Sequence, residues 1–178
     1  METYGIDIAG VHRELVICKV NERIDIAAFI MFGDVELTVK SAEALLKKCP
    51  EHDIVVTAET KGIPLAYEMA KQGCGNYLVA RKSVKLYMKN PISIEVRSIT
   101  TDHVQTLYIS GEESVSLKGK RVLIADDVIS TGESLAAMEN LVKRSGGIIA
   151  GKAAVLAEGD AINRDDIIYL EPLPLFYK

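Results

Sequence analysis

Apolar and polar positions change period several times along the chain, and each change marks an element. Residues 13–31 alternate through LVICKV and IDIAAFIM on either side of the polar turn NER, which predicts two strands joined by a turn. Gly33 and Asp34 then open a helix, with Asp34 at the N-cap, where a carboxylate accepts from a first-turn backbone N–H. Val35, Val39, Ala42, Leu46 and Cys49 recur at helical spacing and predict one buried stripe. Lys47 and Lys48 fall in the last turn, where cations complement the macrodipole, and Pro50 stops the helix.

The run DIVVTA is long enough for a buried strand and too short for a helix. IPLAYEMAKQG reads as a helix with Pro64 in its first turn and Gly73 at its end, and NYLVA as the next buried strand. Strand, helix, strand predicts a parallel sheet with helices on its faces. Residues 81–114 break this rhythm. They begin basic, with RKSVKLYMKN, and then alternate through ISIEVRSITT and VQTLYIS as a hairpin. Such a long polar connection inside one domain reads as a lid. The parallel pattern resumes with RVLIADD and a helix from about Gly132 to Arg144, with Leu135, Met138 and Val142 on one face and SGG at its end. IIAGKAAVLAE and DIIYL are the last strands, and no repeat or linker interrupts the chain. The expectation is a single α/β domain over residues 1–178.

Composition narrows the class. With 178 residues, 48% of them apolar, the chain can bury one core, and a net charge of −4 argues against a nucleic-acid binder. No apolar run approaches the ~18 residues that would span a membrane. METYGIDIAG has neither the basic start nor the apolar stretch of a signal peptide. Cys18, Cys49 and Cys74 are scattered, with no Cys-x-x-Cys, which reads as reduced thiols in a cytoplasmic protein. His12 and His52 have no second ligand at metal spacing and read as surface residues.

The chemistry concentrates in RVLIADDVISTGES, residues 121–134. A strand buried over 121–125 presents Asp126 and Asp127 at its carboxyl end, where open parallel sheets bind ligands. The turn that follows leads straight into a helix. Its backbone N–H groups and the hydroxyls of Ser130, Thr131 and Ser134 suit a phosphate monoester. Carboxylates accept hydrogen bonds from sugar hydroxyls. An anion cup beside a diol clamp describes a ribose 5-phosphate.

The same stretch closely resembles the phosphoribosyl pyrophosphate (PRPP) signature of type I phosphoribosyltransferases: a buried apolar run, two acids, two apolar residues and a small-Thr-Gly-x-Ser/Thr loop. The resemblance extends from about residue 34 onward. VTAETKGIPLAYEMA resembles the pyrophosphate loop of the purine members, and LVARKSVKL the basic opening of their lid. AAVLAEG and PLPLF resemble the end of adenine phosphoribosyltransferases, whereas TKGIPLAY and SITTDHVQTLYIS are closer to the PRPP-binding domain of a bacterial purine repressor. The resemblance implies a parallel twisted sheet flanked by helices, a small hood at 1–33 and a flexible β-hairpin lid at 85–110.

It also implies roles. Asp126 and Asp127 would bind the ribose hydroxyls, and Ser130, Thr131, Gly132, Glu133 and Ser134 would wrap the 5-phosphate, with Glu133, where the family commonly has Gly, turned to solvent. Thr60, Lys61 and Gly62 would hold pyrophosphate by backbone amides, with a non-proline cis peptide at Thr60–Lys61. Arg81, Lys82 and Lys85 would neutralise it, in a homodimer from the neighbouring subunit. Glu59 would touch that loop or a magnesium water. Mg2+ would sit near Asp126 and Asp127, held through PRPP and water and by no protein ligand directly. Val128, Ile129 and Phe29, or Ile30 beside it, would meet the base.

The implied activity is purine salvage: transfer of 5-phosphoribosyl from PRPP to a purine. The 6-oxopurine enzymes carry Asp where Ser130 stands, so adenine is favoured and xanthine is next. Adenine enzymes usually carry Glu-Tyr in the lid where this chain has Thr100 and Thr101, with Asp102 and His103 as nearby acid–base substitutes. The alternative is a non-catalytic PRPP sensor. Asp165 and Asp166 read as a solvated turn.

Overall fold

The computed structural model describes residues 2–97 and 104–178. Thr100, Thr101, Asp102 and His103, the lid positions weighed for acid–base chemistry, lie outside the described residues.

The centre is a parallel sheet of five strands in the order β10-β9-β8-β4-β5, formed by β4 (Ile54–Ala58), β5 (Tyr77–Ala80), β8 (Arg121–Ile129), β9 (Ile148–Glu158) and β10 (Ile168–Leu173). Period-two alternation divides these strands between two cores. Val55 of β4 and Leu123 and Ala125 of β8 face one side, against Leu37, Ala42 and Leu45 of α1 (Val35–Leu46) and Leu65, Ala66 and Met69 of α2 (Ile63–Gln72). Their neighbours Ile54, Val56, Val122 and Ile124 face the other, against Leu135, Met138, Leu141 and Val142 of α4 (Glu133–Arg144). Strands covered on both faces read as continuous apolar runs, as DIVVTA and RVLIA do.

The hairpin β6 (Ile92–Arg97) and β7 (Val104–Ile109) is antiparallel. Its base is fastened to the second core: Leu107 and Ile109 are fully buried, and Arg144 donates from Nη1 to the Ser93 carbonyl at 2.9 Å. A short helix, α3 (Gly111–Leu117), follows the hairpin behind a capping box formed by Ser110 and Glu113. The pattern of apolar residues gave no sign of it.

A second sheet packs over α1. Its order is β1-β2-β3-β11, all antiparallel: β1 (Thr3–Ile8), β2 (Val11–Lys19), β3 (Ile24–Ala27) and β11 (Leu175–Tyr177). Strands β2 and β3 were expected; β1 and β11 were not. The turn joining β1 to β2 is Ala9-Gly10, both at positive φ (51° and 80°), and alanine is an unusual residue to find there. β11 exists only because the C-terminal segment returns to pair with β3, from Leu175↔Ile26 to Tyr177↔Ile24.

Helix α1 corrects the expected stripe. Asp34 is its N-cap, accepting from Leu37 N at 3.1 Å, but the buried face is Leu37, Thr38, Ser41, Ala42 and Leu45. Val35 is 73% exposed. Thr38 can enter the core because its hydroxyl donates to the Asp34 carbonyl at 2.7 Å, so a polar residue carries no unmet group inward. The helix ends at Leu46, with Lys47 as its C-cap, so Lys47 and Lys48 follow the last turn rather than fill it. No helix among the described residues is long and apolar enough to cross a membrane.

Candidate active site

β8 does not end at residue 125. It stays paired with β9 through Asp126↔Ala154 and Ile129↔Ala157, so both acids lie within the strand. What ends is the other side: β4 pairs with β8 only as far as Val56↔Ile124. The acids therefore emerge where β4 peels away and the 59–62 loop crosses the gap. Gly62 makes that crossing possible. A Cβ there would stand 2.3 Å from Thr57 Oγ1 and 2.9 Å from Asp126 Oδ1, so a larger residue would force the loop off the carboxylate. Thr57 Oγ1 is buried without a hydrogen-bond partner among the described residues.

The two acids are not equivalent. Asp127 is 3% exposed, and its Oδ2 meets Lys61 Nζ at 2.9 Å. Asp126 accepts the Asp127 backbone N–H at 2.9 Å. Burial first, and the charge of Asp127 second, push the Asp126 carboxyl up to about 8, against the opposing pull of Lys61.

On the Lys61 side of the acids is a cleft of ≈ 290 Å³ bordered by Thr60, Lys61, Lys82, Asp126, Asp127 and Ser134. Glu59 organises its basic rim. It accepts the Lys82 backbone N–H at 3.0 Å and stands 3.6 Å from Arg81 Nη1 and 3.7 Å from Lys85 Nζ. The Lys82 N–H, then those two cations, hold its carboxyl below the usual range. The cis peptide is Glu59–Thr60, one bond earlier than expected, just past β4, where Glu59 N still donates to Ala80 O at 2.8 Å.

On the other side is a smaller cup of ≈ 110 Å³, formed by Asp126, Val128, Ile129 and the loop 130–135. Gly132 adopts the left-handed conformation (φ 82°) that turns the chain into α4, and the first-turn amides of α4 and the hydroxyls of Ser130, Thr131 and Ser134 belong to this loop. The two cavities share Asp126, Val128 and Ser134.

The fold thus brings together Thr60, Lys61, Lys82, Asp126, Asp127 and the 130–134 loop, with Arg81 and Lys85 at the rim through Glu59. Phe29 is different: at 4% exposure it packs in the core beneath the second sheet, while Ile30 and Phe32, which follow it in sequence, are exposed. Its ring has no face to offer a base in this arrangement. Glu133 is half-buried and borders the cup instead of standing free in solvent. Asp166 is no simple solvated turn residue, since it pairs with both Arg164 and Lys152. Arg164 was missed altogether. Its neighbours in sequence are polar, and nothing local shows that its side chain reaches Gly132. His12 is exposed between Asp7 and Glu14, as a surface residue should be.

A model of the phosphoribosyl transferase domain matches residues 32–171. The chain is 29% identical over 126 residues to an adenine phosphoribosyltransferase of Rhodococcus jostii, covering 71% of this chain and 69% of that one. It is 38% identical over 109 residues to a hypoxanthine/guanine phosphoribosyltransferase of Methanotorris igneus, covering 61% and 55%. It is 32% identical over 113 residues to the purine biosynthesis transcriptional repressor of Bacillus subtilis, covering 64% of this chain but only 39% of the repressor. Among solved structures, an adenine phosphoribosyltransferase of Thermoanaerobacter pseudethanolicus superposes with a TM-score of 0.66 at 24% identity, covering 80% of this chain and 84% of that one, which is a likeness of fold.

Proposed function

The chain belongs to the phosphoribosyl transferase domain family, and from that premise we propose that it transfers 5-phosphoribosyl from PRPP to a purine base, adenine first and xanthine next. The products are a nucleoside monophosphate and pyrophosphate. The observation that carries this reading is the pair of adjoining cavities that share Asp126. A ribose seated over the acids would put its 5-phosphate in the hydroxyl-lined cup and its pyrophosphate against Lys61 and the 60–62 amides.

In the reaction the bond from the anomeric carbon to a pyrophosphate oxygen breaks as a bond to a purine ring nitrogen forms, and that nitrogen loses its proton. Positive charge develops on the sugar. Asp126 and Asp127 would accept the ribose hydroxyls and set negative charge beside it. Lys61 pairs with Asp127 in this structure and would turn to the pyrophosphate once the hydroxyls take its place. Arg81, Lys82 and Lys85 add charge on the leaving side, steadied by Glu59. Closure of the 85–110 segment over the sugar would exclude water.

The family implies Mg2+. The oxygens of Asp126 and Asp127 are hard donors that suit it, while no group of three or more His, Cys, Asp or Glu positioned to hold a metal occurs among the described residues. The ion would therefore arrive with the substrate and reach the acids through water. When bound it neutralises the pyrophosphate charge. Exposed Val84, Leu86 and Tyr87, beside the basic rim, support a homodimer that covers them.

Pyrophosphate release from PRPP and Mg2+ in the presence of adenine, xanthine, hypoxanthine or guanine in turn tests the proposal. Turnover with adenine is expected. Tight PRPP binding with no turnover on any base would replace it with the sensor reading that the likeness to the repressor supports.

A further inference from the structure

We infer that Arg164 is a positioning residue for the phosphate end of the substrate, a cation held against the 130–134 loop; the inference rests on the phosphoribosyl reading above. The first observation is steric. A Cβ on Gly132 would stand 2.6 Å from Arg164 Nη1, so the guanidinium lies against the backbone at the apex of the loop. The cup itself is bordered by Asp126 and residues 128–135, and Arg164 meets this loop at Gly132.

The second observation is how the guanidinium is aimed. Nε and Nη2 donate to the two oxygens of Asp166, each at 2.8 Å, a bidentate pairing that fixes the plane of the fork and points Nη1 at Gly132. Asp166 is held in turn by Lys152 of β9, whose Nζ lies 3.0 Å from Glu139 of α4. Lys152 is only 14% exposed, so the ladder runs partly inside the protein. It links the loop to the strand beside it and to the helix whose N-terminus forms the cup. Its positive end is the one that faces the loop.

A guanidinium against this loop attracts a phosphate dianion seated in the cup. Arg164 brings a guanidinium against this loop at Gly132. It acts on the end of the ligand that carries the 5-phosphate and leaves the pyrophosphate cleft, lined by Lys61 and Lys82, unaffected.

The test measures ribose 5-phosphate and pyrophosphate binding separately, by calorimetry with Mg2+ present, in wild type, Arg164→Gln and Arg164→Lys. In Arg164→Gln, ribose 5-phosphate should bind about tenfold more weakly, pyrophosphate should stay within about twofold, and the KM for PRPP should rise while kcat holds. Arg164→Lys should recover most of the loss, which a merely structural arginine would not predict. Equal weakening of both ligands, no weakening of either, or no recovery by lysine overturns the inference. Asp166→Asn, which frees the fork without removing the charge, should weaken ribose 5-phosphate by a smaller factor; should Arg164→Gln not fold, no change in this second variant overturns it equally. Wild-type protein that takes up neither ribose 5-phosphate nor PRPP sinks the phosphoribosyl reading, and this inference with it, before any variant is compared.

Discussion

Lys61 Nζ stands 2.9 Å from Asp127 Oδ2, and this contact joins the 59–62 crossing to strand β8, the two segments on which the proposed chemistry depends. Lys61 comes from the crossing after β4, and Asp127 from β8. One side chain is 49% exposed and the other 4%, so the lysine can leave and the carboxylate cannot. On the proposed function, the ion pair is a placeholder that substrate hydroxyls would displace.

Replacing the anchored partner tests the diol clamp. Asp127→Asn keeps the size of the side chain but halves its acceptor capacity. PRPP use should weaken by at least tenfold, or about 1.4 kcal/mol in kcat/KM. Unchanged steady-state kinetics for pyrophosphate release would remove Asp127 from the site.

The mobile partner should behave differently. Lys61→Met removes a donor to the leaving group, so kcat should fall by about ten- to a hundredfold. Melting temperature should fall as well, because Lys61 is the cation that offsets the buried Asp127 carboxylate. A loss confined to KM would mean that Lys61 only helps binding.

Asp126 makes stability depend on pH. Its carboxyl is raised from 3.8 to about 8, chiefly by burial, so folding favours the protonated form. That contribution is complete below pH ~4 and is lost as pH rises toward 8. Asp126→Asn should flatten this decline and be the more stable protein at pH 8.5, by about 2 kcal/mol, well below a full conversion of the shift because the site relaxes and admits water as the carboxylate ionises. Thermal melts of both proteins from pH 5 to 9 would show this; parallel curves would refute it. PRPP uptake, which needs both carboxylates as acceptors, should also tighten from pH 7 to pH 9.

Gly62 carries a steric prediction. Gly62→Ala puts a methyl 2.3 Å from Thr57 Oγ1 and 2.9 Å from Asp126 Oδ1. The loop must move, at a stability cost of about 1–3 kcal/mol, and the pyrophosphate amides move with it. We expect PRPP turnover to fall by at least tenfold, about 1.4 kcal/mol, and Thr57→Ala in the same chain to restore part of it by clearing the nearest atom. Full activity in Gly62→Ala would show that the loop does not need its close approach.

Much of this was legible in the chain because the signals were local. DIVVTA and RVLIADD are buried on both faces and so read as apolar runs; the acid pair, the Ser-Thr-Gly turn and the helix behind it are contiguous; and Asp34, Pro64 and Gly73 punctuate helices by their own backbone chemistry. Those features determined the α/β class and the location of the cup. The tertiary structure decided what depends on residues far apart. It buried Thr38 and Ser41 in place of Val35, sent Phe29 into the core, paired the C-terminal strand with β3, and brought Arg164 to Gly132 across 32 positions. It also made Asp126 and Asp127 unequal, since only the folded chain brings Lys61 to one of them. A side chain's charge is written in the sequence, but its exposure and its partners are set by whatever the rest of the fold packs around it.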